Sequence, residues 1–227
     1  MKLGKIGIVV AARTNSSRLP GKALKPLQGR PMVIFLLERL KSLQSAQLIL
    51  ATTTLASDDQ LAETVAATGV PVFRGHPTDL VARHAALARQ HGFDMVGRVT
   101  ADCPFVDAEM VDHCLQQAAQ FDSFDLASTK GAFPVGLDIE LLPTPQLDAL
   151  DHNPALTEEH REHLTLFLYG KPGQFTVRTL QPRNDWRIDG ATFTVDTAED
   201  YQKAVRLADS FPSPLFSLQN LIARAAT

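Results

Sequence analysis

The first 130 residues alternate short apolar runs with longer segments of helical periodicity, and this alternation constrains the fold more than any other feature. The apolar runs that predict β-strands occupy residues 6–11, 47–53, 70–74 and 95–100. The segments that predict helices occupy residues 31–43, 57–69, 79–91 and 108–121. Strands alternating with helices of this length are typical of a parallel sheet with right-handed crossovers. We therefore predict an α/β fold.

The pattern changes after residue 125. The stretch FPVGLDIELLP, residues 133–143, alternates apolar and polar residues as a hairpin or an edge strand would. The run FTVD, residues 193–196, predicts a short last strand, and Thr197 is a suitable cap for the helix that follows. We predict a single domain over residues 1–227, with an inserted arm at about 129–190.

Composition and charge exclude several classes of protein. The 227 residues carry a net charge of −3, and no run of five like charges occurs, which argues against a nucleic-acid or polybasic membrane surface. The apolar runs are far shorter than the roughly 18 residues that a membrane helix needs. Two cysteines, eleven residues apart, form neither a disulfide framework nor a zinc signature. We expect a reduced, cytoplasmic protein that binds neither nucleic acid nor membrane.

The loop after the first predicted strand, ARTNSSRLPGK at residues 12–22, concentrates positive charge around a Pro-Gly turn. Its three cations are Arg13, Arg18 and Lys22. A triphosphate needs opposed cations and unhindered backbone N–H groups, and glycine lets the backbone approach closely. The loop is not a Walker A motif, because Ala23 follows Lys22 where that motif has Ser or Thr. We predict phosphate binding, with a solvated basic loop as the alternative.

Two aspartates stand at predicted strand ends, where ligands of open α/β sheets bind. Asp102 follows the strand at 95–100, and Asp196 ends the FTVD run. Together they could hold Mg²⁺, a hard cation that takes carboxylate and phosphate oxygens. The alternatives are a turn aspartate for Asp102 and an extension of the Thr197 helix cap for Asp196.

The arm carries two further groups of polar residues. Asp138 and Glu140 are two residues apart, so both point to one face of a strand. His160 and His163 are i, i+3 neighbours on a predicted helix, but they lack the HExxH layout of a zinc site. The adjacent glutamates and Arg161 favour a solvated helix face over a metal site.

Six stretches, in order, resemble a known family. They are IGIVVAARTNSSRLPGKALKPLQGRPM, VFRGHPTDLVARHAALA, VGRVTADCPFVD, FPVGLDIELL, TEEHREHLT and TVDTAEDY. They resemble the cytidylyltransferases that activate sugar acids such as 3-deoxy-manno-octulosonate (Kdo) and acylneuraminate, and most closely the spore-coat polysaccharide branch of SpsF-like proteins. The resemblance spans residues 6–201, and ARxxSxRLPGK is its most specific part.

The resemblance implies a Rossmann-like nucleotidyltransferase core of the glycosyltransferase-A type, a three-layer sandwich. It implies transfer of CMP from CTP to a sugar acid with Mg²⁺, and a possible homodimer. The residues it implies for the triphosphate are Arg13, Ser17, Arg18 and Lys22, and those for the metal are Asp102 and Asp196. Thr52, Arg74 and Thr100 would surround the base, and Asp138, Glu140, Arg161 and His163 would line the sugar side.

Two other functions keep the same fold. One is a nucleotidyltransferase or glycosyltransferase that uses another nucleotide or acceptor, and Thr100 stands where the sugar-acid enzymes often have glutamine. The other is a catalytically silent protein that binds a nucleotide sugar. The presence of Arg13, Lys22, Asp102 and Asp196 argues against the silent alternative.

Overall fold

A seven-stranded sheet forms the centre of the chain in the computed structural model, which describes residues 1–226. The strands are β1 Ile6–Ala11, β2 Pro26–Leu27, β3 Arg30–Pro31, β4 Gln47–Thr53, β5 Val72–Gly75, β6 Met95–Thr100, β7 Leu126–Ser128, β8 Glu140–Pro143 and β9 Val177–Thr179. The sheet order is β5-β4-β1-β6-β8-β7-β9, while β2 and β3 form a separate antiparallel pair. Only β8 runs antiparallel to its neighbours among these seven described strands.

Helices cover both faces of the sheet. They are α1 Met32–Leu40, α2 Asp59–Ala66, α3 Leu80–His91, α4 Ala108–Gln120, α5 Thr144–Asp151, α6 Glu158–Glu162, α7 Leu166–Tyr169, α8 Ala198–Asp209 and α9 Leu218–Ala225. Two hydrophobic cores lie against the sheet. One contains side chains of α1, α2, α4, α8 and α9, and the other contains side chains of α3, α5 and α7. The structure therefore has the predicted α/β, three-layer architecture with a mostly parallel sheet.

The burial of strand β1 explains why its sequence is apolar throughout. Ile8 and Val10 point into one core and Val9 into the other, and all three are fully buried. A parallel strand covered by helices on both faces needs apolar residues at consecutive positions rather than at alternate ones. A continuous apolar run of six residues is thus typical of a strand whose two faces are both buried.

The register of the parallel strands brings their carboxyl ends to one edge. Ala11, the last residue of β1, pairs with Ala51 of β4 and with Thr100 of β6. The loops that follow β1 and β6 therefore leave the sheet side by side. This edge is where an open α/β sheet binds its ligand.

The second half of the chain differs from the sequence prediction in two places. The stretch 133–143, predicted as a hairpin or an edge strand, contains the single strand β8, which lies between β6 and β7 and is therefore not at an edge. The predicted FTVD strand is an extended segment outside the sheet, where Phe193 N–H bonds to Val135 O at 2.7 Å. Gly136 allows this approach, since a Cβ there would lie 2.2 Å from Thr194 N.

The predicted arm at 129–190 contributes strands β8 and β9 to the main sheet, and helix α5 packs against α3. Its extent as a separate substructure stays a prediction. Thr197 caps α8 through the predicted capping box with Asp200. Across residues 1–226, no helix combines the length and apolar character needed to span a membrane.

Candidate active site

The loop after β1 is fixed to the sheet by a buried carboxylate. Asp58, which is 1% exposed, accepts hydrogen bonds from Thr14 N at 2.7 Å and from Thr14 Oγ1 at 2.6 Å, and a further bond from Thr53 Oγ1. Burial alone would raise the pKa of Asp58, but the Thr14 and Thr53 hydrogen bonds outweigh it and lower the pKa. The carboxylate thus stays ionised and holds the cationic loop against the end of β4.

Lys22 joins the two aspartates that follow strand ends. Its Nζ lies 2.8 Å from Asp102 Oδ2, 3.0 Å from Asp196 Oδ1 and 3.0 Å from the carbonyl oxygen of Val195. The Lys22 side chain is 14% exposed, so solvent screens these contacts only partly. Arg18 Nη2 adds a second cation, 3.1 Å from Asp196 Oδ1.

The two aspartates meet although 93 residues separate them in the chain. A backbone hydrogen bond from Val195 N to the carbonyl oxygen of Asp102, 2.8 Å long, ties the FTVD segment to the turn after β6. Asp196 is the next residue, so its carboxylate is carried to the same side as that of Asp102. The arrangement depends on main-chain atoms and not on the carboxylates themselves.

Opposite charge controls the ionisation of this cluster. Burial would raise the pKa of Asp102, but Lys22 outweighs it and the pKa is lowered. Burial would likewise lower the pKa of Lys22, but Asp102 and Asp196 raise it. At neutral pH the ammonium group of Lys22 is therefore paired with an ionised Asp102.

A cavity of about 290 Å³ lies over the ends of β1 and β6. The sequence-predicted residues that line it are Arg13, Ser17, Arg18, Lys22, Thr100, Asp102, His163 and Asp196. Other polar residues that line the cavity are Asn15, Ser16, Arg83, Arg98 and Glu162. The cavity thus collects cations, hydroxyl groups and the two carboxylates in a space suited to a polyanionic ligand.

A second cavity of about 260 Å³ adjoins the first and shares Arg98 and Thr100 with it. Asp138 and Glu140, predicted to line the sugar side, are on its wall, together with Lys130. Arg98 Nη1 donates to Glu140 Oε2 at 2.5 Å, so this ion pair stands where the two cavities meet. Burial raises the pKa of Asp138, and nearby Glu140 adds to the effect.

Three predicted residues line neither cavity. Thr52 is fully buried, and its Oγ1 has no hydrogen-bond partner among the described residues. Arg74 donates to the carbonyl oxygens of Thr53 and Leu55 and pairs with Asp59. Arg161 pairs with Asp79 at 2.8 Å. Their predicted contacts with base and sugar stay predictions.

Other residues of the site were not predicted from the sequence. Arg13 Nη2 lies 2.8 Å from Glu162 Oε1, a helix residue interpreted above as part of a solvated face. Arg83 and Arg98 line the first cavity but lie inside a helix and a strand, where an arginine belongs to no recognisable motif. Asp58 was interpreted only as an acidic residue suited to the first turn of a helix, whereas its side chain accepts a hydrogen bond from Thr14 N.

The donor set at Asp102 and Asp196 suits a hard divalent cation. Each carboxylate has a second oxygen that Lys22 does not contact. Mg²⁺ is commonly held by one or two carboxylates together with substrate phosphates and water. Residues 1–226 contain no group of three or more His, Cys, Asp or Glu side chains placed to bind a metal by themselves. The pair therefore fits an ion that arrives with a nucleotide.

Comparison with known proteins finds a matching family model and a similar full-length relative. The sequence model of the family described as cytidylyltransferase matches residues 7–224. The spore coat polysaccharide biosynthesis protein SpsF of Bacillus subtilis is 30% identical to this chain, over 99% of this chain and 98% of SpsF.

Two solved structures are similar to the whole chain. A cytidylyltransferase from Leptospira borgpetersenii has a TM-score of 0.90 and 30% identity, over 97% of this chain and 93% of its own. A CMP:2-keto-3-deoxy-manno-octonic acid synthetase complexed with CTP has a TM-score of 0.69 and 20% identity, over 91% of this chain and 99% of its own. At 20% identity, this second similarity shows a shared fold only.

Proposed function

This chain belongs to the cytidylyltransferase family and is a CTP-dependent nucleotidyltransferase, and we propose that it transfers CMP from CTP to a sugar acid, releasing pyrophosphate. The acceptor would be a nonulosonate or a Kdo-like acid, used in surface polysaccharide or glycoconjugate biosynthesis. The observation that carries the proposal is the cluster of Lys22, Asp102 and Asp196 in a cavity at the carboxyl ends of β1 and β6.

The first cavity is proposed as the CTP site. Arg13, Arg18 and Lys22 supply positive charge from three positions of one loop, and Ser17 adds a hydroxyl group beside them. A triphosphate would be held by these cations and by backbone N–H groups of the loop. Thr100 lies at the boundary with the second cavity, where a nucleotide and an acceptor could meet.

The second cavity is proposed as the acceptor site. Asp138 and Glu140 offer oxygen acceptors for sugar hydroxyl groups, while Lys130 offers a cation for a carboxylate. The Lys130 Nζ lies 4.7 Å from the centre of the Tyr169 ring and forms no ion pair within the described chain. An exposed ammonium group of this kind can pair with an acceptor carboxylate without first breaking an existing salt bridge.

The proposed reaction is an in-line displacement at the α-phosphorus of CTP. An acceptor hydroxyl oxygen forms a bond to that phosphorus, the bond to the bridging oxygen of pyrophosphate breaks, and the hydroxyl proton is released. Arg13 and Lys22 would stabilise the negative charge that grows on the phosphoryl and leaving oxygens. The two adjoining cavities would hold the reacting atoms together, which lowers the entropic part of the barrier.

Members of the family typically depend on a divalent metal ion, and we propose Mg²⁺ for this chain. Asp102 and Asp196 would hold it. When bound, the ion would supply positive charge to the α-phosphate and polarise the attacking oxygen. Lys22 would then hold both carboxylates in place through the contacts that it already makes.

The proposal is tested by measuring pyrophosphate release with each of the four NTPs, Mg²⁺ and a panel of sugar acids. We expect release with CTP and at least one sugar acid, and none when the acceptor is omitted. Thermal shift with Mg²⁺ should also rank CTP above UTP, since a ligand at 100 times its Kd stabilises a fold by about 2.7 kcal/mol. Release with neutral sugars alone would refute the sugar-acid acceptor and leave the nucleotide site intact.

Two further proposals concern assembly and location. From the sequence resemblance we propose a homodimer, which light scattering of the purified protein would test. A cytoplasmic location is proposed from the two unpaired, buried cysteines, and fractionation of the source cells would test it.

A further inference from the structure

One carboxylate on the walls of the two cavities has no cation partner. Asp138 lines the second cavity, and within residues 1–226 its side chain forms no ion pair. The other carboxylates that line either cavity are each paired with a lysine or an arginine: Asp102 and Asp196 with Lys22, Glu162 with Arg13, and Glu140 with Arg98. Asp138 thus keeps a negative charge that no cation of the described chain has taken up.

A single backbone bond orients the Asp138 carboxylate. Oδ2 accepts from Gly136 N at 2.8 Å, while Oδ1 accepts no hydrogen bond from the described residues. Glu140, on the same cavity wall, is occupied at both oxygens, because Oε2 accepts from Arg98 and Oε1 accepts from Thr165 Oγ1 at 2.7 Å. Of these two carboxylates, Asp138 is therefore the one with an oxygen left for a ligand.

Main-chain contacts hold Asp138 in place relative to the site aspartates. The turn before Asp138 bonds to the extended segment 192–195 through a backbone bond of 2.7 Å. The same segment bonds to the turn after β6, where Val195 N donates to the carbonyl oxygen of Asp102. Segment 192–195 thus connects the turn that orients Asp138 with the turn that carries Asp102. A carboxylate fixed in this way is oriented before any ligand arrives.

The proposed displacement needs a group that takes up a proton. With CTP in the first cavity and the acceptor in the second, the attacking hydroxyl lies near the boundary that Arg98 and Thr100 form. This hydroxyl loses its proton as its oxygen bonds to the α-phosphorus. A general base must lie within hydrogen-bond reach of that proton. The second cavity offers Asp138 Oδ1 for this purpose.

We propose that Asp138 is the general base, and that its Oδ1 takes the proton of the acceptor hydroxyl while the hydroxyl oxygen bonds to the α-phosphorus and pyrophosphate leaves. The step yields the CMP-sugar, pyrophosphate and a protonated Asp138, which then gives its proton to water. A positioned base typically contributes about 10²- to 10⁴-fold in rate. This role rests on the proposed CMP transfer to a sugar acid and goes beyond it by assigning the proton.

The charges around Asp138 suit a base. Burial raises the pKa of Asp138, the bond from Gly136 opposes this effect, and the negative charges of Glu140 and Asp102 add to it. A carboxylate with a raised pKa is a stronger base than an ordinary one. The titratable and charged groups around it are Arg98, Asp102 and Cys103 from β6 and the turn after it, Glu140 from β8, Lys130 after β7, and Tyr169 from α7.

The test follows single-turnover CMP transfer to Kdo and to N-acetylneuraminate from about pH 4 to about pH 9. With the unaltered protein, the rate should rise through an apparent pKa above 3.8 and then level off. We expect Asp138→Asn to lower the rate about a hundredfold or more, and the remaining rate to rise about tenfold per pH unit, because solvent must then remove the proton. The Kd values of CTP and of the acceptor, measured with the unreactive α,β-methylene analogue of CTP, should change by less than about threefold.

Two further variants separate a base from a binding residue. Asparagine can keep the bond from Gly136 N, so Asp138→Asn should stay folded. In Asp138→Ala, added formate should restore part of the lost rate, since a small carboxylate can enter the vacated space and take the proton. Glu140→Gln is the matched control on the same wall. It should weaken acceptor binding, keep the levelling of the pH profile and show no response to formate.

The results that would overturn the proposal are distinct from those that would overturn the function. An Asp138→Asn protein with a raised KM for the acceptor and an unchanged saturating rate would make Asp138 a binding residue. A pH profile that changes in His163→Asn and not in Asp138→Asn would assign the base to His163, in the first cavity. Both results leave CMP transfer by the unaltered protein intact. Absence of transfer by the unaltered protein to any sugar acid would refute the proposed function, and this role with it.

Discussion

The backbone N–H of Val195 donates to the carbonyl oxygen of Asp102 at 2.8 Å, and this main-chain bond brings the two site aspartates together. The carboxylates of Asp102 and Asp196 are left free to contact Lys22 and a ligand. The fold of this region therefore does not need the negative charges that it presents. Stability and activity should accordingly respond differently when those charges are removed.

We expect Asp102→Asn and Asp196→Asn each to reduce turnover by at least a hundredfold while the protein stays folded. Each change removes a charge from the proposed metal site, and each 1.36 kcal/mol added to the barrier costs about tenfold in rate. The double variant should be scarcely slower than either single one, because both residues serve one site. Pyrophosphate release and melting temperature are measured for all three proteins.

Asp200→Asn provides the matched control for this prediction. Asp200 lies on the same segment but serves the capping box with Thr197, so the change should lower the melting temperature and leave turnover largely unchanged. An Asp196→Asn protein that melts early and turns over normally would make Asp196 a capping residue. The two-carboxylate metal site would then be wrong.

The sequence predicted β1, β4 and β6 with the bounds that the structure shows. Strand β1 is apolar throughout, β4 and β6 are mostly buried, and such runs leave little choice of structure. The interior position of β8 was not predictable, because the residues of one strand do not say whether it has one neighbour or two. Strand β7, with three residues, and helix α9 carried no signal that the pattern analysis recognised.

In the candidate site, too, local sequence features were predictable and contacts between distant residues were not. The loop at 12–22 and the aspartates were found because their residue types and their positions after strands are local features. Arg83 and Asp58 were not found, since each acts through contacts that only the folded chain creates. The bond from Thr14 to Asp58, for example, joins residues 44 positions apart.

We expect Lys22→Met to destabilise the protein at neutral pH in metal-free buffer. The pKa of Asp102 is lowered in the folded state, mainly by Lys22, and the pKa of Lys22 is raised in return. The stabilisation is thus present above the unfolded pKa of the carboxylate, near 3.8, and below that of the amine, near 10.5. The melting-temperature gap between variant and unaltered protein should therefore shrink below about pH 3.8 and above about pH 10.5.

Divalent metal should narrow the same gap at neutral pH, since Mg²⁺ can neutralise the carboxylates that Lys22 no longer contacts. Lys41→Met, at an exposed position, serves as the control and should show neither the pH dependence nor the metal effect. A gap that is constant from pH 3 to pH 11 would show that Lys22 does not couple to the aspartates.

We expect Glu162→Gln to strengthen CTP binding. Arg13 is paired with Glu162 in the structure, and a triphosphate must compete with that carboxylate for the guanidinium. The side chains are 40% and 47% exposed, and exposed pairs are worth at most about 1 kcal/mol, so the gain should be about twofold to fivefold. It should disappear at high salt. Glu159→Gln on the same helix controls for net charge, and an equal gain there would refute the competition.

We expect Asp138→Asn to stabilise the protein increasingly as the pH rises from about 4 to neutrality. Burial raises the folded-state pKa of Asp138, so the ionised form is disfavoured in the folded protein. Compared with the variant, the unaltered protein is therefore most stable below the unfolded pKa of Asp138, near 3.8. It loses this stability as the pH rises through the folded-state pKa. Asparagine has no such loss and can still accept the 2.8 Å bond from Gly136 N. Melting curves across this range test the prediction, with the exposed Asp122→Asn as control, and parallel curves for both variants would contradict it.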